Sequence, residues 1–194
     1  MSSQIPVVWD WNVGKSFCVL AGIENVEKLY QLSQGVSRSQ GFPKEACFRM
    51  DPSHPKYVAL SDNIANLDKA LVVSRKLKEF LESKGPRDVE YLRVSIFNHK
   101  KKLASDEYFI VNPLRVIDCV DKDKSDIEWN NIDPEKISFC FKLVLRTEAL
   151  DDSLLLFRPR HLATRVMVHP ELAKAIEGAG FTGLRFTEVD EFES

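Results

Sequence analysis

Residues Tyr108 to Ser125 read YFIVNPLRVIDCVDKDKS, and this stretch decides the fold. Tyr108-Phe109-Ile110-Val111 is aromatic and β-branched, Asn112-Pro113 is a turn signal, and Leu114-Arg115-Val116-Ile117 is apolar again. Branched and aromatic side chains fit a pleated surface, whereas proline has no N–H with which to continue a ladder. The expectation is strand, tight corner, strand. A charged exit follows from Asp118 to Asp126, where the chain leaves a buried sheet for solvent.

Upstream, Leu71-Val72-Val73 predicts a short strand and Ser74 a helix cap, because its hydroxyl can accept from an unpaired backbone N–H. Leu77, Phe80 and Leu81 then line one helical face, and Gly85-Pro86 stops the helix. Val89 to Phe97 alternates like a half-buried strand, with Leu92, Val94 and Ile96 on one side. A second copy of this pattern closes the chain. Arg165 to Val168 is the strand, His169-Pro170 the helix entry, Leu172, Ala175 and Ile176 the apolar face, Gly178 and Gly180 the stop, and Leu184 to Val189 the next strand. Val72/Met167, Val73/Val168, Leu77/Leu172, Leu81/Ile176, Glu82/Glu177 and Gly85/Gly180 share one offset of about 95 residues. Either a duplication or two ordinary strand–helix–strand units capped for the same physical reasons accounts for it.

Between the copies, Ile137, Phe139, Phe141 and Leu143 share one parity of ISFCFKLVL, which predicts a strand burying those four side chains. Leu154 to Phe157 predicts another strand. In the first third, Ile5 to Val13 and Ser16 to Ala21 read as short strands and Glu24 to Gln34 as a helix stopped by Gly35. Gly35 to Tyr57 is an irregular run in which only Ala46 to Met50 looks like a strand. Such a connection is either functional or wrapped on the surface. The fold class is α+β: mixed, largely antiparallel sheets with a few packed helices and two similar strand–helix–strand units.

With 44% hydrophobic and 29% charged residues, the 194-residue chain can build a sizeable core. A net charge of −2 gives no electrostatic basis for general nucleic-acid binding. Arg158/Arg160 and Lys100-Lys101-Lys102 read as isolated basic turns without interleaved aromatics. The N-terminal stretch shows no secretory leader, and no run is long enough to span a membrane, so the expectation is cytoplasmic. Cys18, Cys47, Cys119 and Cys140 are widely spaced and read as small core hydrophobes in a reducing compartment.

Candidate chemistry is sparse. Gly14-Lys15-Ser16 resembles the end of a phosphate-binding loop, but Trp9 stands where that loop needs glycine. Asp121, Asp123 and Ser125 imitate half a calcium loop, yet Asp126 replaces the glycine and Ile132 the terminal glutamate. His54, His99, His161 and His169 have no metal-ligand spacing, and no nucleophile signature is present. No cofactor, metal or catalytic residue is therefore expected. Asp121, Asp123 and Asp126 with Trp129 make an acidic corner around an aromatic side chain, a composition suited to protein contact. A solvated turn with Trp129 tucked into the core is the competing reading.

The order of pieces resembles a bacterial immunity-protein family of the myxobacterial type. The residues that carry it are Leu71 to Ser74 with the helix to Leu81, then Tyr108 to Asn112 running into Val116 to Asp118 and Lys124-Ser125. The ending Gly180-Phe181-Thr182-Gly183-Leu184-Arg185-Phe186 completes it. The match covers roughly residues 65 to 190. It implies an immunity-type α+β domain over 65–194, with residues 1–64 an N-terminal α/β segment of the same body. The resemblance further implies a cytosolic, non-enzymatic partner of a protein toxin encoded beside it, with no nucleic acid or membrane involved. The alternative is a small-ligand or enzymatic α+β domain whose site is assembled from distant residues.

Overall fold

The computed structural model describes residues 5–193. Residues 1–4, part of the stretch examined for a leader, and residue 194 lie outside it. In chain order the elements are β1 Val7–Trp11, β2 Cys47–Arg49, β3 Asn63–Ile64, β4 Val72–Ser74 and α1 Arg75–Lys84. Next come β5 Val89–Phe97, β6 Leu103–Pro113, β7 Val116–Ile117, β8 Asp126–Trp129 and β9 Ile137–Lys142. β10 Leu156–Pro159, β11 Met167–Val168, α2 Pro170–Gly178 and β12 Leu184–Thr187 complete the set. One sheet has the order β2-β5-β6-β4-β3, the other β12-β1-β11-β10-β7, and β8 and β9 form a separate ribbon. All pairings are antiparallel except β2 with β5 and β7 with β10. The fold is α+β, as the residue pattern predicts.

The stretch Tyr108–Ser125 joins the two sheets. β6 lies at the centre of one and β7 at the edge of the other. The corner falls one step later than Asn112-Pro113 suggests: β6 runs through both residues, and Pro113 pairs with Val89 at the end of the ladder. A proline is tolerated there because no further rung needs its missing N–H. Arg158 pins the corner from β10. Its guanidinium, 3% exposed, donates to the carbonyls of Pro113 (3.3 Å), Ala163 (2.7 Å) and Leu32 (2.8 Å). Burial pushes its pKa down to about 10. It is thus a buried clamp and not part of an exposed basic turn.

The two repeated units correspond rung by rung. β4 and β5 both run antiparallel to β6 between them; β11 and β12 both run antiparallel to β1 between them. Ile64, Val72, Ile110 and Leu92 stand in one row of the first sheet, and Phe157, Met167, Val8 and Thr187 stand in the same row of the second. The hydrogen bond from Val111 N to Leu71 O (2.8 Å) is matched by Trp9 N to Val166 O (2.9 Å). Leu114 N to Asp88 O (2.8 Å) is matched by Asn12 N to Gly183 O (3.1 Å). Left-handed residues fall at equivalent places too, Gly85 with Gly180 and Asp88 with Gly183. The second unit differs in connectivity: its central strand, β1, comes from the start of the chain instead of following β12.

The caps behave as their chemistry requires. Ser74 Oγ accepts from Leu77 N at 3.2 Å, and His169 Nδ1 accepts from Glu171 N at 3.3 Å ahead of Pro170. Val73, Val111, Leu77 and Leu81 from one unit pack with Val7, Trp9, Val168, Leu172 and Ile176 from the other in a shared inner core. The opposite face of the first sheet is covered by Cys18, Leu20, Leu32, Ala46, Phe48 and Met50. That of the second is covered by Cys119, Val120, Cys140, Leu143, Val189 and Phe192.

The ending Phe181-Thr182-Gly183 sews the units together. Thr182 N and Oγ1 both donate to Asp62 Oδ2 (3.0 and 2.9 Å), and Asn63 N donates to Thr182 O at 3.0 Å. Asn63 Oδ1 in turn accepts from Trp9 Nε1 at 2.9 Å. Gly183 has φ 80°, and a Cβ there would sit 2.1 Å from Asn63 O, so only glycine fits.

Two expectations in the first third change. Ser16 to Ala21 makes only isolated bridges, and Glu24 to Gln34 is not a helix beyond a 3-10 turn at Leu29–Ser33. Asn25 and Lys28 adopt left-handed backbone, and Glu24 is held by a bridge to Cys47, so no helix can propagate through them.

Candidate functional site

Asp118 to Trp129 forms the acidic corner at one end of the second sheet. Asp121 is its hinge. Its Oδ1 accepts from the backbone N–H groups of Asp123 and Lys124, both at 3.2 Å, and Oδ2 lies 3.0 Å from Lys124 Nζ. The Lys124 hydrogen bond, helped by those backbone donors, holds Asp121 below the usual carboxylate range. Asp123 and Asp126 are exposed and make no ion pair among the described residues. Trp129 is half-buried, with its ring edge-on to His161 at 5.3 Å and Lys122 Nζ above it at 5.2 Å. Trp129 therefore presents part of its ring to solvent and anchors the rest. Asp121 and Asp123 share the turn, whereas Asp126 and Trp129 have opposite parity on β8 and leave opposite faces of the ribbon.

Beside it lies a cavity of about 320 Å³ lined by Asp133, Glu135, Lys136, Ile137, Arg160 and His161, among others. His161 is buried; its Nδ1 is 2.7 Å from Glu135 O, which makes Nδ1 the donor, and Nε2 has no hydrogen-bond partner among the described residues. Asp118 Oδ1 approaches Nε2 to 3.7 Å but is itself held by Arg146 at 2.9 Å. Among the described residues no nucleophile is hydrogen-bonded to this imidazole. Among the described residues no group of three or more His, Cys, Asp or Glu side chains stands ready to hold a metal ion. Gly14 sits in a turn against the Phe17 ring, and Trp9 is buried in β1.

The ribbon that extends the corner overturns one expectation. Phe139 and Phe141 do not share a buried face with Ile137 and Leu143; each is 54% exposed, while Cys140 between them is 1% exposed. Two irregularities in the pairing cause this. Asp126 faces Lys142 but Ile127 faces Cys140, and Glu128 faces Phe139 but Trp129 faces Ile137, so Phe141 and Ser138 are extra residues. Each bulge shifts the parity by one and re-aims the side chains around it. The sequence carries no local signal for these bulges beyond the mixed run Phe139-Cys140-Phe141-Lys142.

The geometry defines a charged corner and a ribbon with outward aromatics, surfaces suited to contact. The profile of the Immunity protein family (Imm11) matches residues 7–191, and the chain belongs to that family. The match includes the first third, where the sequence resemblance above began only near residue 65, and β1 and β2 show why: both are integral strands of the two sheets. A search of curated proteins finds no match. No helix among the described residues is long and apolar enough to cross a membrane.

Proposed function

We propose that this immunity protein neutralises a cognate antibacterial protein toxin in the cytoplasm by binding it, without chemistry of its own. The family match over 7–191 carries the reading. Asp121, Asp123, Asp126 and Trp129 help to hold a basic surface of the toxin: Asp123 and Asp126 attract it, Asp121 shapes the loop, and Trp129 supplies aromatic area. Exposed carboxylates that are not locked in ion pairs raise the encounter rate with a basic partner.

The test uses the toxin domain encoded beside this gene. Co-expression of the chain should restore growth of cells making that domain, and loss of protection by the wild-type chain would refute the reading. Asp123→Lys with Asp126→Lys should slow association about 10-fold at low salt and flatten its salt dependence. Asp121 is left intact in that variant because its carboxylate holds the turn.

A further inference from the structure

Exposed apolar side chains are ordinary when scattered, and Tyr30, Val58, Leu67 and Leu103 are of that kind. Phe139 and Phe141 are different. They flank a buried Cys140 on one strand, so both project from the same outer side of the ribbon. Burying a phenylalanine contributes about 1.5–3 kcal/mol, and two bulges keep this pair from doing so within the chain. Bulges that re-aim side chains gather at functional sites.

The surrounding charge indicates what covers them. Glu128 stands directly across from Phe139, and Asp126 lies two residues before it on β8, on the same face and opposite Lys142. Neither carboxylate makes an ion pair among the described residues, whereas Asp118, Asp121 and Asp133 are each matched with Arg146, Lys124 and Lys136. Lys142 is exposed and makes no ion pair among the described residues either, so Asp126 and Glu128 outweigh it by one and the net free charge beside the aromatic pair is acidic. The competing irregular segment, 35–57, is engaged elsewhere: Phe42, Ala46, Phe48 and Met50 cover the first sheet, and the backbone at Arg38 and Ser39 donates to Glu90.

We infer that the outer face of the β8–β9 ribbon, centred on Phe139 and Phe141 and edged by Asp126 and Glu128, is the surface that seats the toxin. The matching toxin patch is apolar and flanked by lysine or arginine. This rests on the toxin-binding reading and adds its apolar centre to the acidic corner.

The test is the affinity of the full chain for the toxin domain encoded beside its gene, measured by calorimetry. Phe139→Thr with Phe141→Thr keeps strand propensity while removing both rings. It should weaken binding about 100-fold or more, mainly through faster dissociation. The melting midpoint should move by no more than about 2 °C. The paired Phe→Tyr variant, which keeps the rings, should stay within about 5-fold of wild type. Glu128→Arg, on the same face and outside any core, should weaken binding about 10-fold, which guards against a folding defect in the threonine variant. Unchanged affinity in the folded threonine variant overturns the ribbon assignment and leaves toxin binding standing. A wild-type chain that does not bind the toxin overturns both. A sedimenting dimer of the chain alone, dissolved by the threonine substitutions, assigns this face to a second copy and overturns the inference.

Discussion

The unit built from β3, β4, α1, β5 and β6 and the unit built from β10, β11, α2, β12 and β1 share register, helix position and left-handed residues. Their inner faces meet in one core. Their outer faces are treated differently. Residues from the first third seal the first sheet, with Phe48 and Leu20 fully buried there. The second sheet is sealed by a bulged ribbon that buries Cys140 and leaves Phe139 and Phe141 outside. The symmetric part of the molecule is accounted for by stability. The departure from symmetry is where the exposed aromatic surface appears, and that is where partner binding is proposed.

The sharpest contrast within the scaffold is Gly183 against Asp88, equivalent left-handed positions. Gly183→Ala would drive a Cβ into Asn63 O and should destabilise by about 4–5 kcal/mol in urea unfolding, from backbone strain plus steric displacement. Asp88→Ala, whose side chain makes only an exposed pair with Arg115 at 3.6 Å, should cost less than about 1 kcal/mol. Equal costs would break the seam argument.

Leu77→Ala and Leu172→Ala remove equivalent side chains from the shared core. Each should cost about 3 kcal/mol, within about 1 kcal/mol of the other, in a single cooperative transition. Two separate transitions would mean that the units have separate cores. The caps give a smaller difference: Ser74→Ala should cost about 1 kcal/mol and His169→Ala about half that. Ser74 also donates to Asp62 at 2.9 Å, and Pro170 already presets the first turn of α2.

The smallest expected effect is none. Burial pushes the Cys18 thiol, under the first cover, up to about 11 and the Cys119 thiol, under the second, up to about 12. At pH 8 both remain protonated and should resist Ellman's reagent until the chain unfolds. Since the folded values lie above the unfolded one, the stability these thiols contribute is complete below pH 9 and declines as pH rises toward 12. Rapid native labelling at either thiol would show that its cover opens.

The helices and their flanking strands were legible in the sequence because their signals are local: a serine cap, an i, i+3, i+4 face, a left-handed glycine. The repeat was legible for the same reason. What could not be read is set by distant contacts. That β1 inserts between β11 and β12 depends on residues far apart in the chain. The parity of ISFCFKLVL predicts a buried aromatic face, and two bulges fixed by pairing with β8 invert it. The acidic corner announced itself by composition, although Asp121 proved to be the turn's own acceptor. Phe139 and Phe141 were hidden by the same alternation that would place them in the core.

Hydrogen exchange of the chain with and without the toxin domain encoded beside it compares the two outer faces directly. Protection on binding should concentrate in residues 121–129 and 137–142, with residues 35–57 and both helices unchanged. Protection confined to 35–57, with the ribbon exchanging as in the free protein, would contradict the assignment of the toxin surface to the second unit's cover.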